Sequence, residues 1–198
     1  MRKNMRTAFL VSLFSALAGC AGRNFVRPTP EAIKLGRTTY PQVIQQMGEP
    51  KKVGEVLKNG CKIKTISYAY AASVGEPLEE GVIPARALTY YFYNDAVVGQ
   101  EFISSFKSDS TNFDDNKIGS IVKGKTSRAE VIQLLGNPFA SFIPPMVKET
   151  PREAVGYSYV TTRGGPFTGF KIFRKTLKIT FDEKDQVSDV DYSSSGDR

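Results

Sequence analysis

The chain has 198 residues, with 27 Lys and Arg against 20 Asp and Glu, no histidine, no tryptophan and two cysteines. Without histidine the usual general base and the commonest metal ligand are missing, so catalytic and metal-centred functions start poorly. The net charge of +7 belongs partly to the first residues and does not amount to a nucleic-acid signature.

Residues 1–19 have the layout of a secretory signal. Arg2, Lys3 and Arg6 form a positive start, residues 8–17 are an apolar run, and Ala18 and Gly19 precede Cys20. The run is too short and wrongly flanked for a membrane span. Leu17-Ala18-Gly19-Cys20 resembles the bacterial lipobox, whose cysteine is acylated and becomes the first mature residue. The alternative, an ordinary signal with an incidental thiol, leaves unexplained why cysteine directly follows the small pair. Acyl chains on Cys20, at about 0.8 kcal/mol per buried methylene, would anchor the protein without a spanning helix. In Gram-negative bacteria the lipobox resemblance implies the periplasmic face of the outer membrane, because Ala21 is not the aspartate associated with inner-membrane retention.

The mature chain would be 179 residues, enough for one domain or two small ones. Losing Arg2, Lys3 and Arg6 leaves 24 basic against 20 acidic side chains, a solubility level of charge. With Cys20 acylated, Cys61 has no disulfide partner and reads as a small, partly buried apolar residue.

After a polar tether, residues 20–28, a stretch occurs twice. Residues 36–50 and 124–138, set 88 apart, share seven of fifteen positions: Gly36/Gly124, Thr38/Thr126, Val43/Val131, Ile44/Ile132, Gln45/Gln133, Gly48/Gly136 and Pro50/Pro138. Average composition gives roughly one by chance, so this is an internal duplication. Each copy predicts a short helix. Thr39-x-x-Gln42 and Ser127-x-x-Glu130 have the form of a capping box. Val43, Ile44 and Met47, like Val131, Ile132 and Leu135, make one apolar stripe. Gly48 and Gly136 stop the helix, and Pro50 and Pro138 keep it from resuming. A preceding segment, begun by Thr29-Pro30-Glu31 in the first copy, predicts another short helix.

Strands follow. Ile66, Tyr68 and Tyr70 alternate with small residues, as do Val155, Tyr157 and Tyr159. Gly/Pro-rich connections, 71–86 and 161–175, lead to the alternating runs Leu88, Tyr90, Phe92 and Leu177, Ile179, Phe181. Turn residues and a further strand complete each hairpin. The polar stretch 104–117 separates the copies, and 193–198 read as a frayed end. The expected fold class is α+β: two tandem repeats, 29–103 and 118–192, each with two short helices on a three-stranded antiparallel sheet.

The order Ile121-x-x-Gly124-x-Thr126, Glu130-Val131, Leu134-Leu135-Gly136-x-Pro138, Tyr157-x-Tyr159 and Leu177-x-Ile179-x-Phe181 to Val187 resembles the SmpA/OmlA (BamE-like) family. The match covers nearly all of the second repeat and, more weakly, the first. It implies an outer-membrane lipoprotein with a role in outer-membrane assembly or integrity. Two copies and the lack of tryptophan depart from the family pattern, and tandem copies are similar in architecture to the β-lactamase inhibitor protein.

No catalytic set, metal site or cofactor is expected. Asp114 and Asp115 lie in the polar stretch without a convergent partner, residues 182–185 lack the glycine and terminal glutamate of a calcium loop, and Gly164-Gly165-Pro166 lacks the lysine of a phosphate loop. Two surfaces stand out. Arg163, Lys171, Arg174 and Lys175 interleave with Phe167, Phe170 and Phe173, a pattern suited to anionic lipid beside an acyl boundary; the alternative is a long loop whose phenylalanines tuck onto the core. Tyr91 and Tyr93 lie opposite the inward-facing Leu88, Tyr90 and Phe92, and tyrosine there fits a protein partner; the alternative is that the other repeat or residues 71–86 cover them. The expected function is a non-enzymatic envelope lipoprotein that binds a protein partner, with an inhibitor of a periplasmic hydrolase or a lipid- or small-ligand-binding module as alternatives.

Overall fold

The computed structural model describes residues 22–72, 75–148 and 153–197, and Cys20 with the leader lies outside them. Eight strands form one antiparallel sheet in strictly sequential order. They are β1 (Lys52–Lys58), β2 (Cys61–Ala71), β3 (Ala85–Tyr93), β4 (Ala96–Ser104), β5 (Ala140–Phe142), β6 (Glu153–Gly165), β7 (Gly169–Phe181) and β8 (Val187–Gly196). Helix α1 (Tyr40–Met47) precedes β1, and α2 (Arg128–Leu135) precedes β5.

This corrects the expectation of two modules of two helices on three strands. β4 pairs with β5 through Gly99↔Phe142, Gln100↔Ser141 and Glu101↔Ala140, which fuses the halves into a single sheet. A three-stranded sheet would leave two rows of unpaired backbone groups; pairing satisfies the inner rows. Each half also has a further strand directly after its helix, β1 or β5. The first expected helix is a set of turns in one half and a 3-10 turn, Asp115–Ser120, in the other. Much of the expected connection 161–175 is paired strand, from Thr161↔Phe173 to Gly165↔Gly169. β8 stays paired as far as Gly196, so most of the end expected to fray completes a strand.

The duplication persists in the hydrogen bonds. Gly36 N donates to Val97 O and Gly124 N to Val187 O, both at 2.7 Å. Thr38 Oγ1 accepts from Lys34 N and Thr126 Oγ1 from Val122 N, both at 2.8 Å. Gln42 Oε1 and Glu130 Oε2 accept from the amides of Thr39 and Ser127 that open the helices. Gly48 (φ 76°, ψ −170°) and Gly136 (φ 82°, ψ −176°) end them in a region that only glycine adopts readily. The hydroxyls of Tyr68 and Tyr157 donate to the carbonyls of these glycines at 2.8 Å, fastening each helix to its sheet.

Both helices cover the same sheet face. Val43 and Val131 are fully buried there, one in each of two apolar clusters. The first gathers Ile66, Tyr68, Leu88, Tyr90, Phe92 and Phe102; the second gathers Val155, Tyr157, Leu177, Ile179, Phe181 and Val187. Burying each large apolar side chain contributes about 1.5–3 kcal/mol, which the short helices cannot supply alone. The polar stretch 104–117 crosses between the halves with Phe106, Thr111 and Phe113 buried. Phe25 also packs on the first cluster, its ring 6.2 Å from that of Tyr68.

Gly99, at the β4–β5 junction, sits where a Cβ would meet the Phe142 ring at 2.8 Å and Tyr91 at 3.2 Å. Gly99→Val should therefore cost about 1–3 kcal/mol through overpacking, measured as a lower urea midpoint with an unchanged slope.

Candidate functional site

The face opposite the helices is divided. Near Ile63 and Val98 it is covered by the connection after β5: Met146 is buried against them, with Phe142 and Ile143 alongside. Ile143 N donates to Val98 O at 2.9 Å, and Asn59 Nδ2 donates to Pro145 O at 2.8 Å.

Toward the other end of the strands no segment among the described residues covers this face, and a groove of about 290 Å³ opens. Its floor is small because strand register sets alanine beside alanine, Ala69↔Ala87 and Ala71↔Ala85. Ile103 lies across from Ala87, and Ile83, Val160 and Thr162 join the lining with Tyr70, Arg86 and Ser105, with Lys51 at one wall. β5 is only three residues long, so beyond it no strand among the described residues fills the interval between β4 and β6.

Beside the groove runs a polar row. Glu101 accepts from Ser158 Oγ at 2.7 Å and, at the long distance of 3.5 Å, from the Tyr91 hydroxyl. Ser67 and Thr89 share a hydrogen bond of 3.0 Å, and Thr176 and Ser193 one of 2.7 Å. Burial, reinforced by Glu101, pushes the Tyr91 phenol up to about 12. Lys178 is lowered by burial and then by Lys58, so the sheet curves enough for β1 and β7 to feel each other's charge.

Of the residues predicted to meet a partner, Tyr91 is half-buried and packs on Phe142 at 5.9 Å with its ring tilted by 66°. Tyr93 is also half-buried and packs with Cys61 against the same apolar cluster. The first strand of the second half and its connection, not residues 71–86, lie against Tyr91. The predicted basic and aromatic set is divided as well. Phe167 is fully exposed and Phe170 57% exposed, and Lys171 and Arg174 are exposed. Phe173 and Lys175 are buried. Arg163 pairs with Glu79 at 2.7 Å and donates to Glu80 O.

Lys175 Nζ donates to Phe113 O and to Asp115 Oδ1, the latter at 2.8 Å, and lies 4.5 Å from the Phe113 ring centre. Asp115 also accepts from Tyr192. The hydrogen bond from Lys175, more than any other influence, holds the Asp115 carboxyl down at about 2. Asp114 caps the 3-10 turn through Asn116 N at 3.1 Å. Asp182 accepts from the amides of Lys184 and Gln186 and so shapes the β7–β8 turn. Gly164 and Gly165 form the end of the β6–β7 ladder. Among the described residues no group of three or more acidic or cysteine side chains is placed to hold a metal ion.

The groove was not anticipated from sequence. Its signal was present as alanine at alternate positions of two adjacent strands, Ala69 and Ala71 beside Ala85 and Ala87, which only the register makes meaningful.

No family model matches the chain, and no curated protein matches it. A solved structure from Streptococcus mutans, of a protein described as a candidate β-lactamase inhibitor, matches at 12% identity and a TM-score of 0.44 over 82% of this chain and 91% of that one. A likeness at that level says nothing of function, and the SmpA/OmlA resemblance stands on its sequence motifs alone.

Asp115→Ala should cost about 3 kcal/mol, because it leaves a buried ammonium without its countercharge, and adding Lys175→Met should recover most of that. Asp115 is held below its unfolded value of 3.8. Its contribution is thus complete above about pH 4 and lost as pH falls toward 2. Urea midpoints of the wild type and both variants across that window test the pairing.

Proposed function

We propose that the protein is a non-catalytic binding protein of the cell envelope, anchored by lipid on Cys20, that docks a partner protein in the alanine-floored groove. The observation that carries this is the divided sheet face. One part of it is sealed by the chain's own β5–β6 connection, whereas the groove keeps small and aliphatic side chains open to solvent.

Alanine floors admit a side chain from outside, and an apolar surface with a few polar groups at its margin is the composition of an interface core. Lys51 stands at one wall. The fitting partner presents an aliphatic or aromatic side chain sized to the alanine floor. Glu101 is already engaged by Ser158 and Tyr91 and would orient the rim instead of meeting the partner. No helix of the described residues is long and apolar enough to cross a membrane, and the lipobox at Cys20 would supply the attachment. An accessory role in outer-membrane assembly or integrity is the form of this function that fits the sequence motifs.

A photo-crosslinking residue at position 87, introduced in living cells, should capture one envelope protein. Ala87→Glu should weaken binding of that protein at least tenfold, about 1.4 kcal/mol, with little change in melting temperature. A barrel-assembly subunit would support the accessory role, and a periplasmic hydrolase would replace it with inhibition. No adduct, or an adduct whose affinity is indifferent to Ala87→Glu, overturns the groove as the docking site. Mass spectrometry should find fatty acid on Cys20, and Cys20→Ser should release the protein from the membrane fraction.

A further inference from the structure

We infer that the tip of the β6–β7 hairpin is a second membrane contact, inserting Phe167, Phe170 and Ile172 into the interface of an anionic bilayer while Lys171 and Arg174 meet its headgroups. The last four pairs of this ladder, Thr162↔Ile172 to Gly165↔Gly169, extend past the end of β8, which stops at the pair Phe173↔Gly196. At about 3.3 Å per residue this puts roughly 10 Å of hairpin beyond β8.

The tip is apolar where it projects. Phe167 is fully exposed, and Phe170 and Ile172 are 57% and 56% exposed. Phe170 and Ile172 are two residues apart on one strand and so share a face. Among the described residues no side chain covers Phe167, and Phe170 and Ile172 keep more than half of their surface in solvent, unlike Phe173 one residue further, which is buried. Lys171 and Arg174 are exposed beside them, residues 162–174 of the hairpin contain no acid, and on the adjoining segment Glu79 is occupied by Arg163. The cations left over at this end thus favour an anionic surface.

Position in the fold supplies the second argument. Gly22 lies against the carbonyl of Ala69, so close that a Cβ there would collide with it, and Ala69 is near the end of β2 that pairs with the start of β3. Following the register across β3, β4, β5 and β6, this is the same end of the sheet from which the hairpin projects. Cys20 is two residues before Gly22. The described chain thus begins at the pole from which the tip projects, and a lipid on Cys20 would face the same membrane as the tip. This orientation rests on the lipidated-Cys20 reading; the affinity of the tip for lipid does not.

The test uses the chain from residue 20 with Cys20→Ser, which keeps every described residue of the fold, in sedimentation with vesicles of equal parts phosphatidylglycerol and phosphatidylcholine. Wild type should bind these at least tenfold better than pure phosphatidylcholine. Phe167→Ser/Phe170→Ser should lose at least tenfold, and Lys171→Gln/Arg174→Gln should lose several-fold together with most of the salt dependence. All of these sites are exposed, and circular dichroism with urea midpoints confirms that the variants remain folded. Absence of wild-type binding, or binding unchanged in both variants, overturns the inference. So does a photo-crosslinker at Phe167 that captures a protein while vesicle binding ignores the substitutions, because the tip is then a protein contact. Absence of fatty acid on Cys20 in the native protein would remove the shared-pole orientation and leave the vesicle result standing.

Discussion

Three residue pairs hold the architecture together. Where Gly99, Gln100 and Glu101 of β4 meet Phe142, Ser141 and Ala140 of β5, two four-stranded halves become one sheet. The bonds extend on either side, from Phe102 N to Phe139 O and from Ile143 N to Val98 O, so the chain is stitched to β4 both entering and leaving β5. A glycine at position 99 lets the Phe142 ring lie directly on the strand. Without this seam each half would carry an inner row of unpaired amides and carbonyls, which proteins cover or pair.

The seam also decides what each face can do. Because the halves join edge to edge in the same sense, both helices and both apolar clusters fall on one side, and the opposite side becomes one curved surface. β5 is short, so its following connection turns back over Ile63 and Val98 and seals that region. On the far side of β5 no strand among the described residues fills the interval between β4 and β6, which Thr111, bonded to Ser104 and Ser158, and Ile83, bonded to Thr162, bridge, and the groove lies there. The proposed docking site and the seal are thus two results of one abbreviated strand.

Local chemistry was legible in the sequence and long-range assembly was not. Both α-helices begin at Thr39 and Ser127 and stop at Gly48 and Gly136, because caps and glycines act on residues next to them. The alternation of Tyr68, Tyr90, Tyr157 and Ile179 likewise marked true strands and a true buried face. β1 was missed because most of its residues are exposed, which erases the alternation. β5 was missed because three residues carry no period. The basic and aromatic run 163–175 read as one surface, whereas strand parity turns Phe173 and Lys175 inward and leaves Phe170, Ile172 and Arg174 outside. The small lining of the groove depends on which alanines face one another, a fact of register between strands that no single stretch contains.

A meander places every strand beside the one made just before it. In such a molecule every strand pairing but one closes over a short span of chain, and closure entropy rises with span. The exception is the step from Glu101 to Ala140, which brackets roughly forty residues, including the crossing stretch and α2. As the polypeptide is synthesised, β1 to β4 can assemble with α1 before β5 exists, and the exposed side of β4 then waits as the template for the rest. The time between those two events is the interval in which the nascent half is most open to joining the wrong neighbour.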